Sequence, residues 1–545
     1  MLKPDEKSRI RGSRRLKAHA LLYRMVPVVA VFCVLAWCFV SLHSNFSRDD
    51  ADSEILNQAW RLANGENIYR GIDMPPFAFA AYPPVYFALV AIFLKFFGLS
   101  FYPAKLLSFL SAIAIGWAFV QLSRQWHKSG QSGLWMAFFL FLIPAFLFNA
   151  VRSHVQVMAV AFSIWSLVFF LRNRWGAAVI ISPLLATLAF YTKQTQIALP
   201  LALICYLAFR NRRWLLYYLA TLSVAGLIPF LWLQSITGGH FFLDTVQLAN
   251  MSYSIYQIPL ILIHHAGPVF CFIGFALYAY WQKIKGWRWE VMDYYFGCVL
   301  LTTIVSLGRV GAHSQYVIEL IVVSLLYLLY VAELPLLAGK RLLVSAQIVI
   351  LFIYAPLFIF IEEGLGNVSS YQASKKIYPL LKSASGPVLS QQGSFALFGR
   401  GGIYVQLFHF SGLSRAGLWD QHRLLNQIDD RIFSCVITEF PIEGANLSDD
   451  DYERFTPETL EALRRNYQRK EIIAPYYIYS PIRYDFSDAT ETIFSSSYPG
   501  IIPRQLMQNT SEGIGVGVPV KTSEYKSAQQ ESLSERQATP ARNAD

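Results

Sequence analysis

The chain has 545 residues, 54% hydrophobic and only 15% charged, with a formal net charge of +11. Soluble domains carry more charge and lack repeated apolar runs of membrane length, so the composition excludes a soluble enzyme and indicates a polytopic membrane protein. The positive charge does not indicate nucleic acid, because the basic residues do not gather on one exposed surface.

Eight of them (Lys3, Lys7, Arg9, Arg11, Arg14, Arg15, Lys17 and Arg24) lie in the basic segment 1–24, expected in the cytoplasm. Met25–Leu42 follows. It is longer than a signal-peptide core and no small-residue cleavage site closes it, so it reads as an uncleaved first span. The membrane module is expected over 25–361, with an external loop at 43–82.

That loop holds Asp49, Asp50, Asp52 and Glu54 in one short stretch, then a helical pattern (Ile55, Ala59, Leu62, Ala63) with Gly65 as its stop. Asp50 and Glu54 share a helix face if the helix starts this early. Asp52 sits at the helix start, where the dipole favours negative charge. The ordinary reading is an N-cap with solvated acids. The functional one is a general base that deprotonates an acceptor, or a set of ligands (Asp49, Asp50, Asp52, Glu54) for a divalent cation.

Further apolar runs fall near 82–98, 103–121, 132–150, 153–171, 175–191, 195–209, 214–235, 259–281, 291–307, 313–333 and 341–361. Basic breaks at Arg124/Lys128, Arg172/Arg174, Arg210/Arg212/Arg213, Lys283/Lys285/Arg288 and Lys340/Arg341 are expected on the cytoplasmic side. Parity then requires an odd number of crossings between the acids and Arg124. The run at 82–98 starts at Pro83-Pro84 and carries Lys95, so it is read as interfacial or re-entrant. About 11 spans result, with about 13 as the other solution.

Three polar breaks return to the acidic face: Arg152-Ser153-His154, Tyr191–Thr195, and Gly308–Tyr316 with Glu319 one turn beyond. Each alone reads as an ordinary turn. Together, Lys193, Arg309 and Arg152 put cations on the face where the topology rule disfavours them, which points to an anionic ligand such as a lipid phosphate. His264-His265 lies within an apolar run, as a site or as a hydrogen-bonded pair. Gly238-Gly239-His240 with Asp244 opens a partly amphipathic stretch, Phe241–Gln257, that reads as a lid or as plain surface. The six cysteines (Cys33, Cys38, Cys205, Cys271, Cys298, Cys435) show no metal-ligand spacing, and neither a disulfide framework nor a zinc site is inferred.

From 362 the composition becomes that of a soluble domain. Val388-Leu389 and Ile432–Ile437 read as strands, and Thr456-Pro457-Glu458 as a helix start. A small C-terminal α/β extramembrane domain is expected over 362–487, and the Ser/Thr/Gln/Glu-rich tail, 488–545, is expected to be disordered.

The acids of Asp49–Glu54, Ala59-Trp60-Arg61-Leu62, Gly65 with Tyr69, and Tyr82-Pro83-Pro84 resemble the first external loop of GT-C glycosyltransferases. These polyprenyl-phosphate-sugar-dependent enzymes include protein O-mannosyltransferases and the lipid A aminoarabinose transferase. Thr192–Thr195 and Gly308–Tyr316 are similar to turns of bacterial members, and the resemblance covers roughly residues 20–360. It implies a GT-C-like fold in the inner or plasma membrane and an inverting displacement on a polyprenyl-phosphate-linked sugar. The acceptor, a protein, lipid or glycan, is left open. The base would be Asp50 or Asp52 with Glu54 in support. Lys193, Arg309 and Arg152 would hold the donor phosphate, and His154, Tyr82, His313, Gln315 and Tyr316 would line the substrate site. Many members carry an Asp where this chain has His154, which leaves a two-acid metal site in doubt. A transporter or flippase of a lipid-linked or anionic solute is the alternative, but no internal repeat supports it.

Overall fold

A computed structural model of the protein describes residues 28–482 except 48, 128, 173–175, 250–252, 287–288, 333–340, 362–365 and 445–453. The basic segment 1–24 and the tail 488–545 therefore lie outside the described residues. Helix α1 (Val28–His43) exposes Val28, Phe32, Leu35 and Phe39 along one face, an apolar stripe suited to lipid. Helix α2 (Asp50–Ala63) starts as early as the acids allow, because the Asp49 side chain caps it by accepting from Ala51 N at 2.8 Å. Past its C-cap Asn64, Gly65 takes a positive φ of 83°, which suits glycine.

Helix α3 (Val85–Phe97) is the disputed run. Its 13 residues span only about 20 Å, short of the roughly 30 Å of hydrocarbon. Both its ends meet the first turn of α4 (Tyr102–His127): Tyr86 Oη donates to Ala104 O at 2.9 Å, and the Phe97 and Tyr102 rings lie 6.2 Å apart. The run at 132–150 is not one straight helix. It breaks into α5 (Gln131–Leu140) and α6 (Pro144–Ala150), bent by 82°. Pro144 at the start of α6 explains the break, since the residue before a proline is driven from the helical region, and Ile143 is extended. A Cβ at Gly133 would lie 2.3 Å from the Phe119 carbonyl oxygen, so glycine lets α5 approach α4. Gly133→Val is expected to lower the unfolding temperature measured in detergent, and an unchanged value would contradict this packing.

The chain continues through α7 (Val155–Arg172), α8 (Ala178–Thr192), α9 (Ala198–Arg210) and α10 (Arg212–Ile236). Helix α7 is buried on nearly every side, between α4 and α8, and is accordingly apolar all round. A short α11 (His240–Phe242) runs into a π-helical turn over Leu243–Leu248. Helices α12 (Gln257–Ile261) and α13 (Phe270–Ile284), joined through a π turn, form one apolar rod. After them come α14 (Val291–Leu307), α15 (Ile318–Tyr330) and α16 (Arg341–Phe358). Among the described residues four helices are long and apolar enough to cross a membrane, or five with the bent pair, alongside shorter apolar ones. Arg124, Arg172, Arg210 and Lys283 sit in the last turns of α4, α7, α9 and α13, while the polar turns lie at the opposite helix ends.

Helix α17 (Gly366–Lys382) leads into a four-stranded sheet of order β1-β2-β4-β3, with β1 (Val388–Ser390), β2 (Cys435–Thr438), β3 (Tyr467–Ile473) and β4 (Tyr476–Pro481). Only β1 and β2 are parallel. Helices α18 (Gly393–Arg400), α19 (Leu407–Arg415), α20 (His422–Asp429) and α21 (Pro457–Asn466) surround the sheet, the last capped by Thr456 as its sequence suggests.

This C-terminal part is not a detached module. The return of the first loop pairs with it: Phe77 N donates to Tyr404 O at 2.7 Å and Gln406 N to Phe77 O at 3.0 Å. Ile72, Phe77 and Phe79 enter the same core as Leu389, Val405, Phe410, Trp419 and Val436. Burying each phenylalanine contributes about 1.5–3 kcal/mol, so the loop is anchored by the domain rather than by lipid.

Candidate active site

One cavity of about 1150 Å³ opens between the end of α1, the start of α2 and all three polar turns, with His409 and Arg454 reaching it from the C-terminal part. The acids Asp49, Asp50, Asp52 and Glu54 line it, as do Tyr82, Arg152, His154, Lys193, Arg309, His313, Gln315 and Tyr316. Helix ends bring these together. Arg152 and His154 stand between α6 and α7, Lys193 caps α8, and 309–316 joins α14 to α15.

Each acid is partnered, Asp49 and Asp52 by the same arginine. Asp52 is fully buried, and its Oδ2 accepts from Ser47 Oγ at 2.6 Å and Arg152 Nε at 2.9 Å. Arg152 Nη2 also lies 2.8 Å from Asp49 Oδ2, and its guanidinium stacks 4.2 Å from the Phe148 ring centre. Asp50 Oδ2 accepts from Arg454 Nε at 2.9 Å and Oδ1 from Gly393 N at 3.2 Å. Burial raises the Asp50 carboxyl to about 7, with Arg454 opposing and Glu54 adding to the rise. Glu54 Oε2 lies 3.1 Å from His409 Nδ1; burial works against charging that imidazole, but Glu54 lifts it above its usual range.

Asp52 thus reads as the buried counter-ion of Arg152. Removing one member of such a pair strands the other charge and costs about 3–5 kcal/mol. Asp52→Ala is therefore expected to lower the unfolding temperature strongly, with retained stability as the contrary result.

Across the cavity, Lys193 is 1% exposed and its Nζ has no hydrogen-bond partner. It sits 4.2 Å from the Tyr316 ring centre and 5.9 Å from that of Tyr82. Burial, reinforced by Arg309 and opposed by Glu319, lowers its ammonium to about 7. His154 is buried and Nδ1 has no hydrogen-bond partner; burial, then Lys193 and Arg152, hold it well below the usual value, so it is neutral at pH 7. Neutral histidine can orient a ligand but adds no charge.

The 308–316 turn is pressed from two sides. Ser254 N donates to Gly308 O at 2.6 Å, and a Cβ at Gly308 would strike the Tyr253 ring at 2.2 Å. Gly311, at φ 81°, lies against Phe408. The His313 ring lies 4.4 Å from that of His265, tilted by 56°, and His265 in turn lies 4.6 Å from His264, so the histidine pair adjoins the cavity without lining it. Asp244 is away from the cavity, buried, with Oδ2 accepting from Arg70 N at 3.2 Å; burial, opposed by Arg70, raises it to about 8. The stretch from Phe241 is packed rather than loose: the Phe241 ring meets Tyr69 and Tyr191, and Gln194 Nε2 donates to Thr245 O at 2.8 Å.

Sequence reasoning missed Arg454, His409, Gly393 and Ser47. Ser47 had a faint signal in its place before the acids. The other three lie hundreds of residues away in the chain, and nothing local marks them.

The acids do not form a cation cage. Arg152 already neutralises Asp49 and Asp52, and Arg454 neutralises Asp50. Among the described residues no three His, Cys, Asp or Glu side chains are grouped to hold a metal. The donor set therefore does not fit a metal ion.

Residues 81–233 match the family model described as dolichyl-phosphate-mannose-protein mannosyltransferase. The match includes Arg152, His154 and Lys193 but begins after the acids. No curated protein matches the chain in sequence. Among solved structures the chain is similar to ArnT from Cupriavidus metallidurans bound to undecaprenyl phosphate, with TM-score 0.58 and 13% identity over 84% of this chain and 98% of that one. It is also similar to the apo state of ArnT from that organism, with TM-score 0.57 and 13% identity over 84% and 97%. A third is the archaeal oligosaccharyltransferase AglB from Archaeoglobus fulgidus, in complex with an inhibitory peptide and a dolichol-phosphate. There the TM-score is 0.51 and the identity 12%, over 85% and 74%. The chain has the GT-C fold of these polyprenyl-phosphate-dependent glycosyltransferases, as its first-loop motifs implied.

Proposed function

We propose that this chain is an inverting glycosyltransferase that moves a sugar from a polyprenyl-phosphate donor to an acceptor at the external membrane face. The observation that carries this reading is the buried Lys193 ammonium. It lacks a hydrogen-bond partner and lines the same cavity as the acid cluster. A buried cation in that state calls for an anionic ligand, and the phosphodiester of a lipid-linked sugar supplies one.

Asp50 serves as the base. The acceptor hydroxyl oxygen attacks the anomeric carbon, its proton passes to the Asp50 carboxylate, and the carbon–oxygen bond to the phosphate breaks. The electron pair leaves with the polyprenyl phosphate, whose growing charge Lys193 and Arg309 stabilise. A carboxyl held near 7 suits this work, because it is ionised often enough to act and basic enough to take a proton. Asp52 keeps Arg152 in place, and Tyr82, Tyr316 and His154 shape the sugar side of the cavity. The topology that goes with this reading puts the basic helix ends in the cytoplasm and the C-terminal part outside.

The test is turnover of a panel of radiolabelled polyprenyl-phosphate sugars by the purified protein in nanodiscs, with glycans, lipids and peptides as acceptors. Transfer, or slow donor hydrolysis, is expected for at least one donor. Movement of an intact donor across a liposome membrane without bond cleavage would overturn the reading in favour of a flippase.

A further inference from the structure

The C-terminal part does more than roof the cavity. Gly393 N and Arg454 Nε both bind Asp50, one on each carboxylate oxygen, across gaps of hundreds of residues in the chain. Gln392 Nε2 donates to the Ser47 carbonyl, and His409 faces Glu54, so the start of α2 is held at several points by one domain. Arg454 is 27% exposed and lines the cavity beside Asp50, which is 16% exposed. The pair is thus half-shielded and open to substrate.

We propose that Arg454 is the positioning residue for the Asp50 carboxylate, so that the C-terminal domain completes the active site by aiming and tuning the base. This rests on the transferase reading above. The guanidinium Nε holds Oδ2, and the Gly393 amide holds Oδ1 by a longer bond. Oδ1 therefore keeps a lone pair for the acceptor hydroxyl, and the carboxylate cannot rotate away from it. A purely structural clamp would also join domain to loop, but it would leave the proton affinity of Asp50 unused.

Several charges face Asp50. On its own loop and helix these are Asp49, Asp52 and Glu54; from the C-terminal part they are Arg454, His409 and Glu439; from the α6–α7 turn it is Arg152. Lys193 and Arg309 line the opposite wall. Arg454 is the charge that most favours the ionised form, and Glu54 and Glu439 oppose it. Loss of Arg454 must then raise the pH at which Asp50 ionises, and activity that needs ionised Asp50 must shift the same way.

The experiment uses the full chain in lipid nanodiscs. Infrared difference spectra between wild type and Asp50→Asn isolate the Asp50 carboxylate band. Its titration midpoint is expected to move up by about 1–3 pH units in Arg454→Met and in Arg454→Gln, and to return toward wild type in Arg454→Lys. The acid limb of kcat/KM should move by the same amount, with activity recovered at high pH. A midpoint unmoved in folded Arg454→Met and Arg454→Gln proteins would overturn the proposal. An equal loss of activity at every pH would do the same. If the wild type turns over no donor while the midpoint still shifts, the transferase reading fails and the tuning of Asp50 by Arg454 stands.

Discussion

Asp50→Asn is expected to lower turnover by about 100- to 10,000-fold, the range for losing a general base, with donor affinity nearly unchanged. The asymmetry follows from where the side chain sits. Asp50 is held by Arg454 and Gly393 of the C-terminal part, whereas Lys193 and Arg309, the cations proposed for the donor phosphate, lie on the turns across the cavity. The amide is close in size and can still accept from Arg454, so folding should survive. Donor titration and single-turnover rates on the same preparation separate the two quantities. A neighbouring outcome is informative: if Asp49→Asn abolishes turnover and Asp50→Asn does not, the base is the capping residue, one position earlier.

Lys193→Met is expected to act on the donor instead. Truncating one partner of a buried, hydrogen-bonded charge pair costs about 2–5 kcal/mol, so donor affinity should fall by at least about 30-fold. The wild-type pH dependence has a definite sign. Burial, with Arg309, lowers Lys193 to about 7 in the free protein, so above pH 7 binding an anion requires uptake of a proton. Donor affinity should therefore decline above pH 7, by up to about tenfold per unit, and the decline should flatten in Lys193→Met. Asp50 works the other way, being protonated and idle below about 7. Together the two groups predict a narrow bell in kcat/KM centred near neutrality. Isothermal titration with a polyprenyl phosphate across pH 6–9 checks the binding arm, and equal affinity for wild type and Lys193→Met would refute it.

Much of this site was legible in the sequence because its residues sit at helix ends, where polar groups next to apolar runs stand out. Asp49, Asp50, Asp52, Glu54, Arg152, Lys193 and Arg309 are conspicuous for that reason, and all of them line one cavity. The strands at Val388 and Cys435 and the cap at Thr456 were equally plain, each marked by local pattern and turn chemistry. Pairing was not legible. Arg454 follows a run of acids in the sequence, and His409 lies in an apolar helix; neither carries any sign that it meets α2. The break within 132–150 could have been read from Pro144, since its effect on Ile143 is local, but apolar composition masked it. Likewise nothing local shows that Phe77 and Phe79 of the first loop enter the core of the C-terminal part, a long-range packing choice that periodicity does not encode.

The proposed reaction is displacement at the anomeric carbon by an acceptor hydroxyl that Asp50 deprotonates, with Lys193 opposite on the donor phosphate. The most direct measurement is proton NMR of the product formed from an anomerically pure polyprenyl-phosphate sugar, with wild type and Asp50→Asn run side by side. The wild type is expected to give a product of inverted configuration, released one-for-one with polyprenyl phosphate, and Asp50→Asn to form it about 100- to 10,000-fold more slowly. A product of retained configuration, or one formed equally fast by Asp50→Asn, would contradict this reaction.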